Sequence, residues 1–277
     1  MNPIIVRGGG DLATGTIHRL CRSGYPVIIL ETDFPSAIRR KVSFCEAVYE
    51  GDKTVEGITC LLADDWRTAM ARVSPGSPML LVDPKGSMLE AYHPDILVDA
   101  ILAKRNLGTS RSMAGLTIGL GPGFTAGEDV DYVVETKRGH HLGRILTSGS
   151  AIPNTGIPGI IGGYGRERVI HAPEEGRMFP TAEIGDWVEQ GTEIGKLRTA
   201  SPDGHNEISV KASITGVLRG MIREGYPVTK GFKIADIDPR EEARAYCDTI
   251  SDKARAIGGS VLELVCAWEK RRPQIEK

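Results

Sequence analysis

Apolar residues near the start of the chain fall into two short runs, Ile4-Ile5-Val6 and Val27 to Leu30. Both are brief and rich in β-branched side chains, which predicts strands. Between them Leu12, Ile17 and Leu20 recur at helical spacing, so the opening reads strand, helix, strand. Residues 42–49 (VSFCEAVY) alternate and predict another strand, and 58–62 form a short apolar run. Residues 64–73 predict a helix capped by Asp64 or Asp65, followed by a buried strand over 78–82. The run 96–103 (ILVDAILA) fits strand or helix by periodicity, and a strand followed by a loop suits the spacing. Strands are predicted again at 116–120, 131–136 and 142–146. Strands alternating with helices imply a mostly parallel sheet with helices on both faces.

The pattern then changes. Residues 148–165 are dense in glycine and proline, which reads as an interdomain linker. Ile157, Ile160 and Ile161 within it favour an ordered loop packed on a domain. Beyond it the chain repeats itself at an offset of forty residues: Ala172 answers to Ala212, Gly176 to Gly216, Gly185 to Gly225, Val188 to Val228, Gly191 to Gly231 and Ile194 to Ile234. Each copy separates short apolar strands by glycine turns. Helical spacing returns over 251–257 and 261–272, interrupted by Gly258-Gly259. Val261, Leu262, Leu264, Val265 and Trp268 form a stripe that must be buried, and packing back on the first domain is the simplest way. The expected organisation is an α/β chain: a Rossmann-like sheet domain binding a nucleotide or cofactor (1–150), a connector (151–166), a small all-β domain (167–240) and C-terminal helices (241–277).

Candidate chemistry sits where the first strand meets the first helix. Gly8 to Gly15 reads GGGDLATG, and Glu31 ends the second strand about twenty residues on. Strand, glycine turn, helix, strand and acid in that order form the dinucleotide-binding fingerprint, with Ala13 at the third position. Gly8, Gly9 and Gly10 let the backbone approach a ligand, amides at the helix start suit phosphate, and Glu31 suits ribose hydroxyls. Asp11 strains this reading, because a carboxylate there repels a pyrophosphate; its plain role is an N-cap. Arg39 and Arg40 either meet a phosphate or form a solvated helix end. A second glycine segment, Gly121, Gly123 and Gly127, follows the strand 116–120 and could face the same pocket as the first.

Composition narrows the classes. The 277 residues are 40% hydrophobic and 25% charged with a net charge of −2, ordinary globular values that give no reason to expect nucleic acid or an anionic membrane. Aromatic content of 5% argues against base-stacking platforms. The five cysteines (Cys21, Cys45, Cys60, Cys247, Cys266) show no CxxC and no zinc spacing, which suits reduced thiols in a cytoplasmic protein. Cys45 has no base beside it and reads as a packed residue. His140 and His141 are adjacent and would point apart in an extended segment, so no metal site is expected. No apolar run approaches a membrane span, no signal peptide opens the chain, and there is no P-loop, G-x-S-x-G or HExxH.

Two resemblances add to this. Residues 168–238 resemble the two halves of a biotinyl/lipoyl-type domain, a barrel-sandwich hybrid. The junction Thr199 to Glu207 lacks the modifiable lysine, and Lys196 and Lys211 lie in predicted strands, so no biotin or lipoyl attachment is expected. The stretches VRGGGDLATG (6–15), AIRRKVSFCEAVYEG (37–51), IGLGPGFTAGEDVDYVVET (118–136), RGHHLGRI (138–145), PNTGIPG (153–159) and ISDKARAIGG (250–259) resemble the accessory proteins of selenium-dependent molybdenum hydroxylase systems. That family is loosely similar to the accessory proteins of xanthine dehydrogenase. The resemblance implies a maturation factor that binds a molybdopterin-type dinucleotide or other nucleotide and docks the apo-hydroxylase. Cys45 stands where relatives are expected to carry serine, and no catalytic residue transfers. The alternatives are an NAD(P)-dependent oxidoreductase and a non-catalytic scaffold, with homo-oligomerisation left open.

Overall fold

The computed structural model describes residues 2–154, 156, 159–201 and 204–271. Ile157, the Pro202-Asp203 pair at the repeat junction and Arg272 lie outside the described residues. The fold is mixed α/β, with one large, mostly parallel sheet and several smaller antiparallel ones. The chain divides into two compact units, one from Met1–Pro35, Ser43–Thr155 and Ile250–Lys277, the other from Ser36–Val42 and Gly156–Thr249.

The first unit runs β1 (Ile4–Arg7), α1 (Asp11–Arg22), β2 (Val27–Glu31), α2 (Ala47–Glu50), β3 (Asp52–Val55), β4 (Ile58–Ala63), α3 (Trp66–Arg72), β5 (Met79–Val82), α4 (Met88–Ala91), β6 (Ile96–Asp99), β7 (Leu116–Leu120), β8 (Thr125–Ala126), β9 (Tyr132–Val134), β10 (Ile145–Leu146) and β11 (Gly149–Ser150). Nine of these strands form one sheet in the order β10-β9-β7-β6-β1-β2-β5-β4-β3. Every pairing from β4 across to β9 is parallel, and only the edge strands β3 and β10 run antiparallel. Val6 sits between Ile29 and Val98, and all four residues of β1 are buried, as expected for a central strand covered on both faces. Ile5, Ile28, Met79 and Leu97 pack with Ala69, Met88 and Leu89 of α3 and α4 into one core cluster.

The expected strand over 42–49 is instead a pair of short 3-10 turns leading into α2. Its backbone is held from outside: Cys45 N donates to Gly9 O (2.9 Å) and Phe44 N to Thr14 Oγ1 (2.9 Å). Alternation alone could not show those distant partners. The predicted break at Gly258-Gly259 is also absent, because the unit's last helix, Asp252–Arg271, is continuous. A Cβ on Gly258 would lie 2.8 Å from Gly15 O, and one on Gly15 would lie 2.6 Å from Ala254 Cβ. These glycines therefore bring the terminal helix against α1, at a propensity cost of about 1 kcal/mol each.

The second unit contains β12 (Val169–His171), β13 (Gly176–Pro180), β14 (Trp187–Val188), β15 (Glu193–Ser201), β16 (Gly204–Lys211), β17 (Gly216–Met221), β18 (Pro227–Val228) and β19 (Lys233–Asp238). The Asp252–Arg271 helix of the first unit is α5. Two four-stranded sheets form, β12-β19-β17-β14 and β16-β15-β13-β18. The strands begin forty residues apart in pairs: β13 with β17, β14 with β18, β15 with β19. The halves exchange their short middle strands, since β13 pairs β18 and β17 pairs β14. Met178, Ile194, Leu197, Val217, Leu218, Met221, Ile234 and Ile237 fill the shared core, so neither half encloses one alone. Inside it Asp236 is paired with Arg168 and Arg219, a buried charge with the partners such a charge requires.

The second unit also takes residues 36–42, which the sequence reading gives to the first domain. Met221 N donates to Ile38 O (2.8 Å), which stitches this short segment to β17. Residues 241–249 belong to the second unit, and the helix that follows belongs to the first.

Candidate functional site

Because β1, β2, β5, β6, β7 and β9 run parallel, their C-terminal ends share one edge of the sheet. That edge collects Gly8, Glu31, Asp83, Asp99, Gly121 and Glu135. Most of its carboxylates are engaged by the backbone. Asp83 accepts from Ser87 N and Met88 N, starting α4, and Glu135 accepts from Lys137 N (2.7 Å) and Ile152 N (2.8 Å). Asp99 takes Ile101 N and Thr109 Oγ1 and faces Arg7 at 3.6 Å, both side chains being almost wholly buried. Burial pushes Asp99 above the ordinary carboxylate range, with Thr109, Ile101 and Arg7 opposing it.

The opening glycines divide by what surrounds them. Gly8 has φ +96°, and a Cβ there would meet Ala100 O at 2.9 Å. Gly9 donates to Glu31 Oε2 (2.8 Å), and a Cβ on it would meet Cys45 N at 3.0 Å. Gly10 is different. It is the N-cap of α1 at φ −66°, ψ 179°, and a Cβ would find nothing within 4 Å. The helix therefore starts from a residue without a side chain to cap it, and the expected N-cap, Asp11, is its first residue. The first intrahelical bond is Thr14 N to Gly10 O (2.8 Å), which leaves the amides before Thr14 outside the helical ladder.

Glu31 accepts from Gly9 N and Thr32 N, both at 2.8 Å, and ties the turn between β1 and α1 to the end of β2. Burial raises its pKa against those two amides. Cys45 lies over Gly9, and burial pushes its thiol well above the ordinary range, helped by Glu31, Glu46 and Asp11. Such a thiol is held protonated and is no nucleophile.

Arg39 and Arg40 belong to the second unit, whereas the segment 8–15 belongs to the first. Arg39 donates to Tyr246 O (3.0 Å) and Thr249 O (3.1 Å), and Arg40 Nε to Met221 O (2.8 Å). Gly121, Gly123 and Gly127 follow β7 on the shared edge but all have positive φ, so their own turns call for glycine. At Gly123 (φ +115°) a Cβ would also strike the Arg105 backbone at 2.7 Å. His140 and His141 are exposed with their rings edge to face, and among the described residues no group of three His, Cys, Asp or Glu could hold a metal ion.

Sequence reasoning missed Lys253, in the first turn of α5. It is partly buried, and burial lowers its pKa, with Arg138 adding to the fall and Asp11, Glu135 and Asp252 opposing it. It thus brings positive charge into the field of Asp11 at the start of α1. Its one signal in the sequence is a place beside the helical stretch that packs on the glycine-bearing helix.

No family model matches the sequence. A curated protein of Escherichia coli (strain K12), called uncharacterized protein YqeB, is 48% identical over 260 residues, covering 94% of this chain and 46% of that protein. The chain spans about half the length of this curated relative. Among solved structures, an aspartoacylase family protein from Mesorhizobium loti aligns over 87% of this chain and 86% of its own (12% identity, TM-score 0.31). The ectoine utilization protein EutE (DoeB) from Ruegeria pomeroyi covers 85% and 86% (10% identity, TM-score 0.27). A succinylglutamate desuccinylase/aspartoacylase from Rhodobacter sphaeroides covers 26% and 22% (22% identity, TM-score 0.24). Scores of this size carry no argument about activity. The expected membership among molybdenum hydroxylase accessory proteins is corrected: the proteins found alike are an uncharacterized protein and desuccinylase/aspartoacylase-type proteins. The selenium and molybdenum maturation role and the apo-hydroxylase partner fall with it, and neither the oxidoreductase nor the scaffold alternative gains support. Among the described residues no helix is long and apolar enough to cross a membrane.

Proposed function

We propose that the first unit is a Rossmann-like binding unit that holds a phosphate-bearing small molecule of nucleotide type over the start of α1. The second unit, with its exchanged half-repeats, is on this reading a barrel-sandwich hybrid. The sheet order supports the proposal: β5-β2-β1-β6-β7-β9 follows the doubly wound order, with strand order reversing between β1 and β6, beside which such sheets take ligands. The observation that carries it is Gly10. Its neighbours Gly8 and Gly9 are explained by the chain's own packing, whereas Gly10 has ordinary dihedrals and open space. With Gly10 as N-cap no capping side chain covers the first turn of this 12-residue helix, and an anion is the ligand a helix N-terminus favours.

Lys253 supplies positive charge there and offsets Asp11, which otherwise disfavours phosphate. Glu31, bound to the turn amides, serves first to shape the loop. Calorimetric titration with ADP, NAD and NADP tests the reading. At least one should bind saturably, and Lys253→Met should weaken that binding about tenfold, the order of one charge-assisted contact. Lys253→Arg should restore much of it. Saturable binding by none of the three, or binding indifferent to Lys253→Met, contradicts the proposal.

A further inference from the structure

Arg7 is the last residue of β1 and Asp99 the last of β6, and the two are register partners at the edge that collects the strand ends. Two residues on from Ile5 and Leu97, they share the sheet face that those residues bury with α3 and α4. Arg7 thus ends a strand at the point where strand order reverses, beside which such sheets take ligands. Its side chain is only 5% exposed, so its charge needs partners.

Those partners engage one nitrogen. Nη1 donates to Thr109 Oγ1 (2.5 Å) and faces Asp99 Oδ2 at 3.6 Å, while Thr109 Oγ1 in turn donates to Asp99 Oδ2 (2.6 Å). Among the described residues Nε and Nη2 have no hydrogen-bond partner, and neither atom is fully enclosed. Their N–H bonds point the same way and form the side-on fork that matches the two oxygens of a carboxylate. Glu31, Asp83 and Glu135, the other carboxylates collected on this edge, are each held by two backbone amides instead. The loop from β5 to α4 passes Nε at Gly86, where even a Cβ would stay 4.0 Å away. Thr109 and Asp99 therefore fix the guanidinium and leave its fork to a group from outside the chain. With Asp99 at Nη1, that fork suits a singly charged group better than a phosphate dianion.

We infer that Arg7 binds the carboxylate of a small organic acid. The inference stands apart from the nucleotide reading, which rests on Gly10 and Lys253. Saturation-transfer NMR on the full chain tests it with acetate, using acetamide as the neutral control of the same shape and inorganic phosphate as a competitor. Acetate should bind saturably with a Kd of about a millimolar, the order expected of a small ligand held by one bidentate contact. Acetamide should not bind, and an equal concentration of phosphate should not displace acetate. Arg7→Lys, which keeps the charge but has no fork, should weaken acetate binding about fivefold or more. Asp99→Asn removes the negative charge at Nη1 and should tighten binding about threefold, a gain that misfolding cannot mimic. Equal binding of acetamide, displacement by phosphate, or no saturable signal from acetate each overturns the inference. So does an unaltered affinity in Arg7→Lys, no tightening in a folded Asp99→Asn, or acetate binding that is lost in a folded Gly10→Val protein.

Discussion

Two glycine-rich segments follow parallel strands at the same edge of the sheet, one at residues 8–15 running into α1 and one at 121–127, and they are glycine-rich for different reasons. In the second, Gly121, Gly123 and Gly127 all take positive φ, and the Arg105 backbone fills the space beside Gly123. In the first, Gly8 and Gly9 are pressed by Ala100 and Cys45, and Gly15 by α5, while Gly10 alone has ordinary dihedrals and nothing beside it. Glycine density therefore marks where the backbone is crowded. Gly10 is the one glycine of these two segments that neither its dihedrals nor a neighbour calls for.

Substitutions should separate the two kinds. The largest effect is expected at the helix crossing: Gly258→Val drives a side chain into Gly15 and Thr16, and urea titration should show a loss of about 3 kcal/mol or more, or detachment of α5. Gly123→Ala follows, at about 2 kcal/mol, from left-handed backbone plus the clash with Arg105. If Gly123→Ala were as mild as a surface change, the contrast between the loops would fail. Asp65→Ala, which removes the side-chain cap on Thr68 N at the start of α3, should cost about 1 kcal/mol. It serves as a reference for what a filled N-cap is worth beside the bare one at Gly10.

Glu31 sharpens the comparison through pH. Its folded pKa is raised by burial, so its contribution to stability is fully present below the unfolded glutamate pKa and is lost as pH rises through the folded value. Glu31→Gln removes that titration. The stability of wild type relative to Glu31→Gln should therefore fall as pH increases across this window, read from urea midpoints at a series of pH values. A difference that does not vary with pH would mean that Glu31 is not held as buried as the structure places it. In the proposed site Lys253 behaves conversely: its lowered pKa means that phosphate affinity should begin to fall at a lower pH than an ordinary lysine would allow.

Much of the first unit was legible because its signals are local. Ile4-Ile5-Val6, the spacing of Leu12, Ile17 and Leu20, and the acid ending the next strand follow from strand and helix periodicity within single elements. The forty-residue repeat was legible because matching glycines and apolar residues return in register. The exchange of β14 and β18 between sheets was not, since repetition says nothing about which half receives a strand. Residues 42–49 misled because their alternation is real but Phe44 and Cys45 donate to Thr14 and Gly9, thirty or more positions back. That Arg39 and Arg40 belong to the second unit was not legible, because a sequence cannot show that Ile38 is stitched to Met221. Lys253 was missed because its neighbours Asp11 and Glu135 are brought near it only by folding.

The central claim is that Gly10 is kept bare for a ligand. It is tested most directly by measuring nucleotide affinity and unfolding midpoint together for wild type, Gly10→Ala and Gly10→Val. With open space at the Cβ position, both variants should unfold within about 1 kcal/mol of wild type. Binding of whichever nucleotide the wild type accepts should fall about tenfold or more in Gly10→Val, with Gly10→Ala between. Undiminished affinity in a folded Gly10→Val protein would contradict the account.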